Sequence, residues 1–208
     1  GYESQLKWLN NANIDKVPID VAATGPKIIR MGAINAERVS FALGGDVDRI
    51  GWGINQVKRS LVSNTRTIDA KPSLGVYLNI CVHDDVKRAA ELVRAGVGIF
   101  AHFTGMPGAN REHVNQADQS TFDNLGSGYD KARHGKGDAA HAQEMSLEFI
   151  DRFSVIGPPE VCIKKLKDIR ALGIERVSVI GPRPDQFGAE AEHALERFAS
   201  DVIPTFRS

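Results

Sequence analysis

The sequence predicts an α/β fold built on parallel strands. Two observations carry this. Short apolar runs alternate with segments of helical periodicity, and two of those runs end in Gly-containing turns that hand over to a helix. Parallel strands joined through helices require right-handed crossovers. A doubly wound open sheet and part of a (β/α) barrel both satisfy that pattern, and period alone does not choose between them.

Residues 1–16 read as a polar lead-in with scattered aromatics. "VPIDVAA", 17–23, reads as a strand, with Pro18 tolerated near its start. Thr24 and Gly25 break it. Pro26 suits the first helical position, where its missing N–H has no intrahelical partner to lose. "KIIRMGAIN" follows as a short helix with Ile28 and Met31 on one face. "RVSFAL", 38–43, is the next strand, and Gly44-Gly45 turn the chain into a helix that Asp46 can cap. Val47, Ile50, Ile54, Val57 and Leu61 recur at helical spacing. After a polar loop, "SLGVYLNICV", 73–82, reads as a strand covered on both faces. Asp84 is placed to cap a third helix, whose stripe is Val86, Ala89, Ala90, Val93, Val97 and Phe100.

Residues 101–145 change character and are rich in Gly, His, Asn, Asp and Gln. They read as an insertion shaped like a lid or substrate loop. "LEFIDRFSVIG" leads to Pro158, which opens a helix with Cys162, Leu166 and Ile169 on its face, ended by Gly173. "RVSVIG", 176–181, is the fourth and last predicted strand, and a final helix runs from about Gly188 to Ala199.

Composition narrows the function classes. Lys plus Arg and Asp plus Glu are 26 each, so the net charge gives no long-range attraction to nucleic acid or an anionic membrane. No apolar run approaches the roughly 20 residues that span a bilayer. "GYESQLKWLNN" lacks the charged-then-apolar form of a signal peptide. Cys81 and Cys162 sit in apolar-periodic segments and read as reduced core residues of a cytoplasmic protein. Six histidines occur, none in an HxxxH, HExxH or HxH pair, so no metal site is expected. His102 and His134 are candidates for substrate contact or proton handling. His83 reads as a surface turn, and Arg183 as a loop arginine able to meet an anion. No GxSxG or Cys-with-His pattern supports covalent catalysis.

The chemistry concentrates at the glycine turns, because ligands of parallel α/β folds bind at the carboxyl ends of strands. After "VAATGP" the N–H groups of Lys27 and Ile28 have no helical acceptor. With the helix dipole they form a seat for a phosphate. Thr24 can donate its hydroxyl, and Gly25 lets an anion approach without a Cβ in the way. Gly44-Gly45 offers a second approach at the neighbouring strand end. Equally, Gly and Pro between strand and helix are ordinary punctuation, and neither turn is a GxGxxG or a GxxxxGK[ST].

"PIDVAATGPKIIRMGAINAERVSFAL" resembles the fifth strand, fifth helix and sixth strand of the bacterial-luciferase-like superfamily. "YDKARHGKGDAAHAQEMSLEFIDRFSVIGPPEVCIKKLKDIRALGIERVSVIG" resembles its closing segment. Within that group the sequence is most similar to deazaflavin-dependent oxidoreductases of the methylenetetrahydromethanopterin reductase type. The resemblance implies the C-terminal half, strands five to eight, of a (β/α)8 TIM barrel, with residues 1–208 as one partial domain and an insertion over 101–150. It implies hydride transfer between coenzyme F420 and an organic substrate. An FMN-dependent monooxygenase, or a non-catalytic phosphate-binding half-barrel subunit, is the alternative. The family's phosphate site maps onto Thr24, Gly25, Pro26 and Lys27, agreeing with the seat that includes Ile28, and its sixth-strand end maps onto Leu43, Gly44 and Gly45. The front half has no counterpart here, so no catalytic residue is carried over. A half barrel exposes strand edges and an inner face. The expected partner is therefore the missing N-terminal half-barrel or a second copy of this chain, in a homo-oligomer.

Overall fold

A computed structural model describes residues 17–66, 68 and 70–207. The lead-in read over 1–16 lies outside the described residues. Within them the chain runs β1 (Asp20–Ala23), α1 (Pro26–Asn35), β2 (Arg38–Phe41), α2 (Val47–Ser63), β3 (Ser73–Val82) and α3 (Val86–Gly105). The histidine-rich stretch contributes α4 (Gln119–Ser127), α5 (Ala140–Gln143) and α6 (Leu147–Phe153). Then come β4 (Val155–Gly157), α7 (Pro159–Ala171), β5 (Arg176–Ile180), α8 (Pro184–Phe187) and α9 (Ala189–Arg197), before short helical turns to Phe206.

Every strand pairing is parallel, as the alternation predicts. Ala23, Phe41, Val76 and Val177 lie at one level across β1, β2, β3 and β5. Beyond that level β3 continues to Val82, and there β4 pairs with its last residues, Ile80 to Val82. The strand β4 is absent from the sequence reading, which treats 155–157 as a lead-in to Pro158. Three residues between two helices are too short to show a period of two.

Alternation along the strands gives the sheet two different faces. Val39, Phe41, Val76, Leu78 and Ile80 point to one face and are buried with Ile29 of α1, Ile50 and Ile54 of α2, and Cys162 and Leu166 of α7. The other face is divided. Near the strand starts it is polar: Ser40 Oγ donates to Asp20 at 2.9 Å, and Arg176 lies 3.6 Å from the same carboxylate. Gly75 sits between them. Ala22, Arg38 and Ser178 are exposed on this face. Further up, α3 roofs β3, with Phe100 stacked on Tyr77 at 6.0 Å and Cys81 buried under Ala89 and Val93. The face expected to lie open is therefore open only in its lower half.

Two local expectations are corrected. The helix α1 buries Ile29, Gly32 and Ala33, while Ile28 and Met31 are 44% and 43% exposed. Its rotation is fixed by Gly32, where a Cβ would stand only 3.1 Å from Val21 and Val39. The cap of α3 is Asp85, which accepts from Lys87 N at 2.9 Å and Arg88 N at 3.1 Å. Asp84 instead pairs with Arg197 at 2.9 Å.

The last strand leaves apolar surface uncovered. Val177 and Val179 are each 41% exposed. They line a groove of about 700 Å³ with Leu166, Ile169, Phe198 and Phe206. The opposite end of the sheet, β1 and the outer side of α1, exposes Ile19, Ile28 and Met31. Both sheet ends thus present unburied apolar side chains, as a barrel cut in two does.

Both cysteines are free and buried, and burial pushes each thiol up to about 12. Neither is a thiolate at neutral pH. Under native conditions at pH 8 a chromogenic disulfide reagent is expected to react with neither thiol, and with both once the protein is unfolded.

Candidate functional site

All carboxyl ends of the strands share one edge of the sheet, and the two glycine turns lie there side by side. Ala42 N donates to Ala23 O at 2.9 Å, joining the end of β1 to the end of β2. At the first turn, Gly25 is the N-cap of α1, with extended backbone (φ −129°, ψ 162°) and no side-chain cap. The first intrahelical bond runs from Ile29 N to Gly25 O at 2.9 Å. Lys27 and Ile28, in the first turn, have no acceptor within the helix. A Cβ placed on Gly25 would meet nothing within 4 Å. Thr24, Gly25 and Pro26 are half-buried, and Lys27 and Ile28 are exposed. The bend is an uncapped helix N-terminus facing open space, with a positive side chain beside it.

The second turn is different. Leu43, Gly44 and Gly45 are buried. Gly44 has φ +81°, and a Cβ there would lie 2.7 Å from Phe153 Cγ and 2.8 Å from Phe153 O. Gly45 N already donates to Phe153 O at 2.7 Å. These glycines admit the end of α6. Lys165 completes the junction by donating to the carbonyls of Asp151, Arg152 and Ser154 at 2.5, 3.1 and 2.5 Å. Burial lowers its ammonium pKa.

The insertion folds over this edge and gathers residues that sequence reasoning left apart. Tyr129 stacks on His102 with ring centroids 3.8 Å apart, and His141 lies at 4.3 Å. The Tyr129 hydroxyl and His134 Nδ1 are 2.6 Å apart. His102 Nδ1 lies 2.9 Å from Leu125 O, so it carries the proton. Gly135, just beyond, lies near Arg183 at the mouth of β5. His102 and His134 are thus brought together, and Tyr129 and His141 are added. No spacing in the sequence could announce that cluster. Arg183 pairs with Asp185 at 3.0 and 2.6 Å. His83 is held by the backbone N of Asp85 at 3.0 Å and faces Glu190 at 3.7 Å. Among the described residues no group of three or more His, Cys, Asp or Glu is placed to hold a metal ion, and no helix is long and apolar enough to cross a membrane.

Beneath Gly44-Gly45 lies an unanticipated residue, Arg49, in the first turns of α2. It is 2% exposed, and its guanidinium sits over the rings of Phe122 and Phe153 at 4.9 and 5.1 Å. Its Nη2 donates to Thr104 Oγ1 at 2.8 Å. Burial lowers it to about 10, against the raising effect of Asp46 and Asp118. His113 stacks on Trp52 at 3.8 Å, and burial, then the Arg49 charge, pushes it down to about 4. Because that value lies below the free value of 6.5, the unfolded chain takes up a proton first as pH falls. His113 therefore carries no penalty above pH 6.5 and destabilises the fold progressively between 6.5 and 4. The full loss is up to about 3 kcal/mol. Denaturant melts of His113→Phe against wild type are expected to show a shallower acid limb in the variant, the two curves parting below pH 6.5.

The profile of the luciferase-like monooxygenase family matches residues 4–176. The chain belongs to the luciferase-like monooxygenase family. Solved structures share its fold. The coenzyme F420-dependent tetrahydromethanopterin reductase from Methanopyrus kandleri superposes with a TM-score of 0.63 at 20% identity, over 92% of this chain and 51% of that one. An F420-dependent secondary alcohol dehydrogenase, in complex with an F420-acetone adduct, gives 0.60 at 17% identity, over 93% and 50%. No curated protein matches by sequence. This luciferase-like chain spans about half the length of the structures it matches, and its α/β, parallel-stranded fold corresponds to half of a TIM barrel.

Proposed function

We propose that this chain supplies the coenzyme-binding half of an oxidoreductase that transfers a hydride between a deazaflavin coenzyme, F420, and an organic substrate. The observation that carries this reading is the bend from Thr24 to Ile28. It is an open, uncapped helix N-terminus at the carboxyl edge of a parallel sheet, in a chain of the luciferase-like family. The two neighbours named above are F420-dependent enzymes, which favours a deazaflavin.

In this proposal the N–H groups of Lys27 and Ile28 bind the coenzyme's phosphate, the Thr24 hydroxyl donates to it and the Lys27 ammonium neutralises it. Pro26 fixes the first turn, and Gly25 leaves the approach free. Leu43, Gly44 and Gly45 stand behind the site, packed against Phe153, and brace the neighbouring strand end. The coenzyme supplies the hydride chemistry; the protein binds, orients and excludes water. The polar lower face and the two apolar sheet ends fit a completing N-terminal half-barrel, or a second copy of this chain in a homo-oligomer, which would close the cavity around a small-molecule substrate.

A second reading keeps the site and changes the chemistry. The family's description as a monooxygenase favours it, with dioxygen as co-substrate; FMN would then stand in place of the deazaflavin. A coenzyme exchange on the completed assembly separates them. The deazaflavin reading expects saturable binding of F420 and its anaerobic reduction by a substrate alcohol or reduced pterin. Oxygen consumption with reduced FMN, without binding of F420, would replace it with the monooxygenase.

A further inference from the structure

The geometry points to a second anion site, separate from the Thr24–Ile28 bend: we propose that a small inorganic oxyanion binds between Arg49 and His113, beneath the insertion. Among the described residues, Arg49 Nε and Nη1 and both ring nitrogens of His113 are buried and meet no hydrogen-bond partner. Unpartnered polar atoms are costly to bury, and a buried cation more so. Here a guanidinium and an imidazole share the deficit: His113 stacks on Trp52, one turn along α2 from Arg49, and feels the Arg49 charge.

Among the described residues, no protein group fills the deficit. Asp46 is committed to the cap of α2, accepting from Asp48 N at 2.8 Å and Arg49 N at 3.4 Å. Asp118 is taken by Arg152 in an ion pair. Phe122 and Phe153 meet the guanidinium through their ring faces, which offers charge stabilisation but leaves in-plane N–H groups without acceptors. Arg49 and His113 do not bond to each other. A neutral His113 offers one N–H and one lone pair, so a species bridging the two must both accept and donate hydrogen bonds. It must also carry negative charge and be small, since Arg49 is already sealed within this chain. An inorganic oxyanion of the phosphate type meets all three conditions. Such an ion would tie α2 to the ends of α3, α4 and α6 through Arg49, and to the 106–118 segment through His113. It would thereby hold the insertion over the sheet edge.

The test separates this site from the bend by working in a Gly25→Asp background, where the bend is blocked. Equilibrium dialysis with radiolabelled phosphate is expected to find one ion per chain in Gly25→Asp, and at least tenfold weaker binding when Arg49→Met is added. In ¹⁵N-edited spectra of Gly25→Asp, the Arg49 Nε–H resonance is expected to shift with phosphate and not with equal chloride. This reading needs no second variant to fold. Absence of phosphate binding in Gly25→Asp, binding undiminished by Arg49→Met, or an Nε–H signal indifferent to phosphate overturns the proposal, the two aromatic rings then sufficing for Arg49.

Discussion

Replacing Gly25 by aspartate is expected to weaken coenzyme binding at least a hundredfold while leaving the fold as stable as before, or slightly more so. The two effects have separate causes at one atom. Gly25 occupies the N-cap of α1 with extended backbone, and a Cβ there meets nothing. Aspartate is a preferred N-cap in that conformation, better than glycine by a few tenths of a kcal/mol, with about 0.3–1 kcal/mol more from the helix dipole. The same carboxylate satisfies the N–H groups that the phosphate needs and sets a like charge against it. Hydrogen bonds to a charged group contribute about 1.5–3 kcal/mol each, and 1.4 kcal/mol is tenfold in affinity, so two lost contacts give about 100-fold or more. Denaturant midpoints and coenzyme titrations on the same preparations check both halves. A variant that loses affinity only because it unfolds would show a lowered midpoint.

The second large effect is structural. Gly44→Ala is expected to destabilise the protein by about 2–5 kcal/mol. Gly44 holds φ +81°, a region that costs an L-residue about 1–2 kcal/mol. The new methyl would also stand 2.7 Å from Phe153 Cγ and 2.8 Å from its carbonyl oxygen. Overpacking of that kind costs about 1–3 kcal/mol. Since domains of this size are stable by roughly 5–15 kcal/mol, the loss is a large share. Gly51→Ala is the control. It lies inside α2 with nothing within 4 Å of a new Cβ, and is expected to stabilise the protein by up to about 1 kcal/mol. Urea unfolding of both variants, with unchanged m-values, tests the contrast.

Gly44 also shows how far sequence reasoning reached. A Gly-Gly pair after a strand reads equally as an anion loop and as a close protein contact. Only the tertiary fold, by bringing Phe153 from far along the chain, decides that these glycines face protein. The four longer strands were legible because their apolar runs alternate with helical periodicity, and those of β1, β2 and β5 end at a Gly turn. The helices α2 and α7 were legible because Ile50, Ile54 and Val57, and Cys162, Leu166 and Ile169, repeat at helical spacing and are buried. The short strand β4 was not, since pairing with Ile80 to Val82 and not its own pattern makes it a strand. In α1, both Ile28 and Ile29 are apolar, and the rotation was set by Gly32 against Val21 and Val39. Arg49 left no trace at all: a charged residue near a helix start ordinarily faces water. Its burial is created by Phe122 and Phe153, which lie far along the chain. The histidine and tyrosine cluster is likewise a product of how the insertion folds.

The most direct test of the account titrates the completed assembly with two ligands, coenzyme F420 and its phosphate-free deazaflavin headgroup, each against wild type and Gly25→Asp. If the bend holds the phosphate, wild type prefers the whole coenzyme by about a hundredfold, and the aspartate variant binds the two alike. Equal affinity of wild type for both ligands, or a preference that survives in the aspartate variant, would contradict it.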